Sequence, residues 1–253
     1  MKRFYKETAV DAAEGGFRVL LDGRPMRTPA KAVLIVPTGA LAAAIADEWG
    51  RVPEKEEIKT GLLPLTRLAA TGLDRVPGQR EQVIDDTAKY AGSDLLCYRA
   101  TDPTSLVERQ KTTWQPLLDW AAERYGAPLA VAEGMTFVTQ PAQSLARLRA
   151  AVAAHGDLAL SSLYNLTHIA GSLIVALAVA ERHLTAEQAF QAAQLDDLYQ
   201  IERWGDDPLA IERRDGVRRD IEAAARFLDL LEGARLRDAA GGNEGKGQGQ
   251  GDA

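Results

Sequence analysis

Cysteine is nearly missing from this chain. Cys97 stands alone among 253 residues, which excludes an internal disulfide and any paired-cysteine motif. Histidine is almost as scarce. His155, His168 and His183 lie 13 and 15 residues apart, so no two share a helical turn as a metal-ligand pair. No basic excess exists either. Thirty lysines and arginines face 36 aspartates and glutamates, for a net charge of −6. That balance argues against a nucleic-acid or anionic-membrane surface, which needs clustered positive charge. A long hydrophobic run is also lacking. The most apolar window, 158–180, is interrupted by Ser161, Ser162, Asn165, Thr167 and His168. Its unbroken part is about a dozen residues, suited to a buried core helix rather than a span of about 20. The first residues, M-K-R-F-Y-K-E-T, carry no apolar stretch of a secretory signal and no presequence pattern. A cytoplasmic protein in a reducing compartment, without membrane insertion, is the expectation.

What is present divides into two compositions. The first stretch reads as β: a strand over Lys2–Val10, a break at Gly15-Gly16, a strand through Phe17, Val19 and Leu21, then Asp22-Gly23. Asp-Gly between β-prone runs is a hairpin signal, because both residues tolerate positive φ. A return strand follows over Pro25–Arg27, and Val33–Val36 is a third β-branched run. Thr38 is placed to cap a helix through Trp49, and another helix follows Pro64 with Leu65, Leu68 and Gly72 aligned.

From about Gln79 the pattern turns helical. Val83, Thr87 and Tyr90 mark one helix. Asp102-Pro103 reads as a cap followed by proline at the first helical position. Trp114, Leu117, Ala121 and Tyr125 share a side of that helix, Gly126 ends it, and Pro116 predicts a kink or break inside it. A short strand is expected over 136–139, then a helix from Gln143 to His155 closed by Gly156. Leu163, Leu166, Ala170, Leu173, Leu177, Ala180 and Leu184 step by threes and fours, as one central bundle helix would. Thr185 to Gln188 is a capping box for a helix that Gly205 stops. Asp207-Pro208 opens a last helix, with Val217, Ile221, Leu228 and Leu231 inward. The residual segment is glycine, glutamine and charge. The expected fold is therefore α+β: a small N-terminal antiparallel β-containing domain (1–76), a C-terminal helical-bundle domain (77–233) and a low-complexity tail (234–253).

Motifs for chemistry are few. Residues 241–247 read G-G-N-E-G-K-G, one residue short of a phosphate loop and without the following Ser or Thr. His168 falls in the core-helix window, where a hydrogen-bonded core histidine is expected rather than a catalytic one. The acidic pairs Asp85-Asp86, Asp196-Asp197 and Asp206-Asp207 are adjacent residues, which on a helix point about 100° apart and make poor acid/base dyads. No cofactor and no metal is expected.

The charge, by contrast, is concentrated. Between Leu184 and Glu212 there are seven acids (Glu187, Asp196, Asp197, Glu202, Asp206, Asp207, Glu212) against the single base Arg203. This window alone nets −6, and the remainder of the chain is neutral. Acidic and aromatic residues intermixed on a helix suit a partner carrying arginines. The competing reading is a solvated acidic face, neutralised by Arg213, Arg214, Arg218 and Arg219 on the next helix.

Six segments come in a familiar order: Asp47-Glu48-Trp49; P-L-T-R-L-A-A-T from Pro64; S-D-L-L-C-Y-R from Ser93; W-Q-P-L-L-D-W from Trp114; S-L-I-V-A-L-A from Ser172; and L-D-D-L-Y-Q-I-E-R-W-G from Leu195. Together they resemble the assembly chaperones that act on the alpha subunit of the ATP synthase catalytic head in mitochondria and alpha-proteobacteria. The resemblance runs from about Phe4 to Leu231. It implies a non-enzymatic chaperone that binds unassembled alpha subunit and shields the surface the beta subunit later covers; a monomer is the separate expectation. It also implies that the acidic position after the leucine of the family's L-E-E-x-[YF]-Q motif matters for function. Here that residue is Asp196, and Asp197, Gln200, Glu202 and Trp204 accompany it as partner-binding candidates. Trp49 falls on the family's E-W tryptophan. It is either a partner contact or a helix-end residue packing the two domains. After Gly205 this chain has Asp206-Asp207-Pro208-Leu209 where the family runs to a V-E-x-x-H-D-like stretch, so nothing is carried over there. Two rivals remain open on the residues alone. One is an enzyme using carboxylates or His168 in an interdomain cleft; the other is a scaffold for a different protein partner.

Overall fold

The structure, a computed structural model, describes residues 2–54, 56–134, 136–205 and 208–232. It has the expected α+β architecture, and the chain separates into two compact units. One contains Met1–Leu63 and the chain from Phe227 onward; the other is Pro64–Arg226.

The first unit is built on an antiparallel sheet. Strand β1 (Thr8–Ala13) pairs with β2 (Gly16–Leu21), which also pairs with β3 (Arg24–Pro25) and β4 (Ile35–Val36). Val19 and Leu21 of β2 point into the core while their neighbours are less buried, the alternation of a one-sided sheet. The Asp22-Gly23 turn has φ of 47° and 74°, as the sequence predicts. Asp22 also accepts hydrogen bonds from the amides of Lys6 and Glu7 (both 2.9 Å), which hold its carboxyl below the usual range. The strand expected over Lys2–Val10 starts later, at Thr8. The cause is Arg3, whose guanidinium donates to the carbonyls of Tyr5 (3.0 Å), Lys6 (2.8 Å) and Val52, drawing residues 3–6 into a coil around it. Helix α1 (Gly39–Gly50) packs on the sheet with Leu41, Ile45 and three buried alanines. Thr38 caps it as expected, accepting from the Leu41 amide (3.0 Å). The Thr38 hydroxyl in turn donates to the Leu230 carbonyl at 2.7 Å, and Phe227 and Leu228 are buried. The end of the last helix is thus a core element of this unit.

The second unit is a helical bundle. Its elements are α2 (Pro64–Asp74), α3 (Val76–Ala88), the short strand β5 (Tyr98–Arg99), α4 (Thr104–Tyr125), β6 (Ala132–Glu133), α5 (Ala142–Ala153), α6 (Asp157–Ala170), α7 (Leu173–Ala180), α8 (Ala186–Ala193), α9 (Leu195–Trp204) and most of α10 (Pro208–Glu232). Helix α6 packs on α2, α3 and α7. Helix α7 is buried from Leu173 to Val179, so it is apolar on every side.

Several expectations at element boundaries are corrected. The single helix over Leu163–Leu184 is two, because Gly171 takes a left-handed φ of 64° and Ser172 caps α7 by accepting from the Val175 amide at 3.1 Å. The apolar stripe crosses the break because both helices face one core. The helix expected to run to Gly205 is likewise divided, at Gln194 (φ −108°, ψ 16°). Pro103 occupies the cap itself, and α4 then runs unbroken through Pro116. Gly156 caps α6 rather than closing α5, which ends at Ala153. Strand β6 lies at 132–133 and pairs in parallel with β5, whereas 136–139 form no strand. Asp207 of the expected Asp207-Pro208 helix start, the glycine-rich 241–247 stretch and the tail 234–253 lie outside the described residues. No helix among the described residues is long and apolar enough to cross a membrane.

Candidate functional site

Five of the six residues marked by the sequence lie on α9 in the second unit: Asp196 and Asp197 in its first turn, then Gln200, Glu202 and Trp204. Leu195 and Tyr199 fasten this helix inward, which turns Gln200, Glu202 and Trp204 to solvent; Trp204 is 75% exposed. Close by in the chain, Leu209 and Ile211 at the start of α10 are exposed apolar residues as well.

Helix α9 rests on α4 through a row of polar contacts that the sequence did not reveal. Just before α9, the Trp114 indole of α4 donates to the Ala192 carbonyl at the end of α8 (2.9 Å). The Ser105 and Tyr199 hydroxyls meet at 2.5 Å, and Arg203 donates to Ser105 at 2.9 Å. Arg109 and Arg203 stand over the Tyr199 ring, 5.2 and 4.8 Å from its centroid. Arg109 also forms a bidentate pair with Glu202 (2.8 and 2.7 Å), which lowers the Glu202 carboxyl and raises the arginine. One signal was available: stepping back four residues from Trp114 along the apolar stripe of α4 reaches Gln110, a polar residue on a face that buries its neighbours.

The acidic stretch is accordingly less naked than its sequence. Glu187 pairs with Arg218, Asp197 with Arg213 (3.2 Å), and Glu202 with Arg109. Such exposed pairs contribute little to stability, but they cancel local charge. Asp196 differs. Its Oδ1 accepts from the neutral Gln110 amide at 2.7 Å, and among the described residues no cation pairs with it. Asp196 is half-buried, not the freely exposed carboxylate that an acidic helix face suggests, because it sits where α9 meets Gln110.

Trp49 belongs to the other unit, at the end of α1. It is half-buried, its ring lies 5.6 Å from that of Tyr5, and its carbonyl accepts from the Tyr5 hydroxyl at 2.8 Å. The residues of the enzymatic rival are placed differently from expectation. His168 is exposed rather than in the core, its ring tilted against those of Tyr164 and Tyr90 (centroids 4.1 and 4.9 Å away). Asp85 is tied to Arg149 at 2.7 Å beside a shallow depression of about 270 Å³. Among the described residues no cluster of histidine, cysteine and carboxylates could hold a metal ion.

Comparison with known proteins gives this arrangement its context. The crystal structure of Atp12 from Paracoccus denitrificans superposes with a TM-score of 0.84 at 40% identity, covering 91% of this chain and 98% of that one. The chain belongs to the ATP12 chaperone family. An aspartate-to-lysine mutant of the same Paracoccus protein matches equally well, at 39% identity and a TM-score of 0.84, covering 91% of this chain and 97% of that one. A family model described as "ATP12 chaperone protein" matches residues 2–122. The mitochondrial protein atp12 of Schizosaccharomyces pombe is 25% identical over 215 residues, 81% of this chain and 74% of that protein. The α+β fold of this ATP12 chain is thus that of its solved relatives.

Proposed function

We propose that this ATP12-family chain is an ATP synthase assembly chaperone. It binds the unassembled alpha subunit of the catalytic head and shields the surface that the beta subunit later covers. An orphan subunit exposes apolar interface, and such patches aggregate unless covered. Binding is reversible and non-enzymatic, and it ends when the beta subunit displaces the chaperone. Helix α9 is the docking element. Asp196 supplies the charge; Asp197, Gln200, Glu202 and Trp204 surround it; Trp49 is a second contact on the first unit.

One observation carries this reading: α9 combines a carboxylate without a cationic partner among the described residues with an exposed tryptophan. A polar–apolar mixture of that kind fits a basic, apolar protein surface. The test is Asp196→Lys, assayed by pull-down of isolated alpha subunit, with circular dichroism and thermal melting alongside. Capture should weaken by about tenfold or more, equivalent to about 1.4 kcal/mol, while the helical spectrum persists. A folded variant that captures alpha subunit as well as the parent would remove α9 from the docking site.

A further inference from the structure

We propose that Gln110 is a positioning residue for Asp196, holding its carboxylate in one orientation while leaving its charge intact. This proposal rests on the docking role given to α9 above.

Gln110 is 1% exposed on the inner face of α4, and its polar groups are used in a fixed sense. Its side-chain oxygen accepts from the Ala100 amide at 2.8 Å. A backbone N–H can only donate, so the oxygen must face Ala100 and the NH2 group must face Asp196. There it donates to Oδ1 at 2.7 Å. The Gln110 carbonyl is held by Arg99 Nη1 at 2.8 Å, and the Arg99 guanidinium lies 5.3 Å from the Trp114 ring. The segment at β5 therefore clamps Gln110 from behind, and Gln110 clamps Asp196.

The choice of an amide matters. Glu187, Asp197 and Glu202 are each met by arginine, which cancels charge as it fixes geometry. Gln110 fixes geometry without cancelling charge. Among the described residues nothing hydrogen-bonds to the second oxygen of Asp196, so that oxygen remains available to an arginine or lysine of a partner. Holding it in place before the encounter spares the ordering cost that binding otherwise incurs. Gln110 is not required to keep α9 docked, since the Ser105–Tyr199, Arg203–Ser105 and Arg109–Glu202 contacts are independent of it.

The experiment uses the full chain and isolated alpha subunit in equilibrium titrations. The variants are Gln110→Met, Asp196→Ala and the double variant, with Thr185→Ala as a folding control. Thr185→Ala removes the side-chain cap of α8, which hydrogen-bonds to Gln188 and to neither Gln110 nor Asp196. We expect Gln110→Met to weaken capture about fivefold, beyond any effect of Thr185→Ala at matched loss of melting temperature, and to add less than about twofold to Asp196→Ala. Equal weakening in both backgrounds, or a loss no greater than that of Thr185→Ala, would overturn the proposal and leave Gln110 a packing residue. If Asp196→Ala alone leaves capture unchanged, the docking role of α9 fails first, whatever Gln110 does. If Asp196→Ala leaves nothing to measure, the comparison of Gln110→Met with Thr185→Ala decides.

Discussion

At the scale of single residues, close approach sets the tightest limits. Gly72 on α2 faces α6 so closely that an added Cβ would lie 2.9 Å from the Leu158 Cα and 3.2 Å from the Asp157 carbonyl. Alanine is intrinsically better in a helix by up to about 1 kcal/mol, but overpacking costs about 1–3 kcal/mol. The second effect should win because a backbone cannot step aside as a flexible side chain can. Gly72→Ala is therefore expected to lower the urea midpoint, with a net loss of about 1–2 kcal/mol; a raised midpoint would mean that α2 and α6 can part at little cost. This position was legible in the sequence only as one more small residue on an apolar face. The same holds for Asp196. Its acidity and its motif were readable, but its partner Gln110 lies 86 positions earlier, and no local pattern joins them.

At the scale of elements, the junction before α7 holds a fully buried carboxylate. Asp94 is fully buried, accepts from the amides of Leu96 and Ile174 (both 3.1 Å), and so joins the turn at 95–97 to the first turn of α7. Burial pushes its carboxyl up to about 6 despite those donors. The folded state then holds a proton between about pH 4 and 6 that the unfolded chain has released. Ionised Asp94 costs stability above pH 6, and the cost is relieved as pH falls toward 4. Relative to Asp94→Asn, the parent protein should gain stability between pH 7 and 5, measured by chemical denaturation at each pH. A constant difference across that range would mean that Asp94 does not titrate there. Helix positions were legible from periodicity and caps, as the Thr38 and Thr185 caps illustrate. The breaks at Gly171 and Gln194 were not, because the apolar spacing that defines a helix continues across them. Gly171-Ser172 did carry the stop-and-cap signature, and the uninterrupted stripe outweighed it. Pro116 shows the opposite error. Tertiary packing of Trp114, Leu117 and Leu118 holds α4 together where local propensity alone favours a break.

At the scale of the whole molecule, composition suggests a division near residue 76, while contacts group α2 with the bundle and the last turns of α10 with the sheet. Ser161 donates to the Leu68 carbonyl at 2.9 Å, one of the contacts that bind α2 to α6. A chain of residues 64–226 should consequently unfold at higher urea than one of residues 77–233, both followed by circular dichroism. Equal midpoints would favour the compositional boundary. No pattern within the first 76 residues could announce that their core is completed by residues 227–232. The bond from the Thr38 hydroxyl to the Leu230 carbonyl has a temporal meaning. On the ribosome, residues 64–226 emerge as one continuous piece, free to assemble as they appear. The sheet and α1 precede that piece and yet must wait until residues 227–232 are made before their cap partner exists. A chain built this way completes an earlier unit only after a later one has been made.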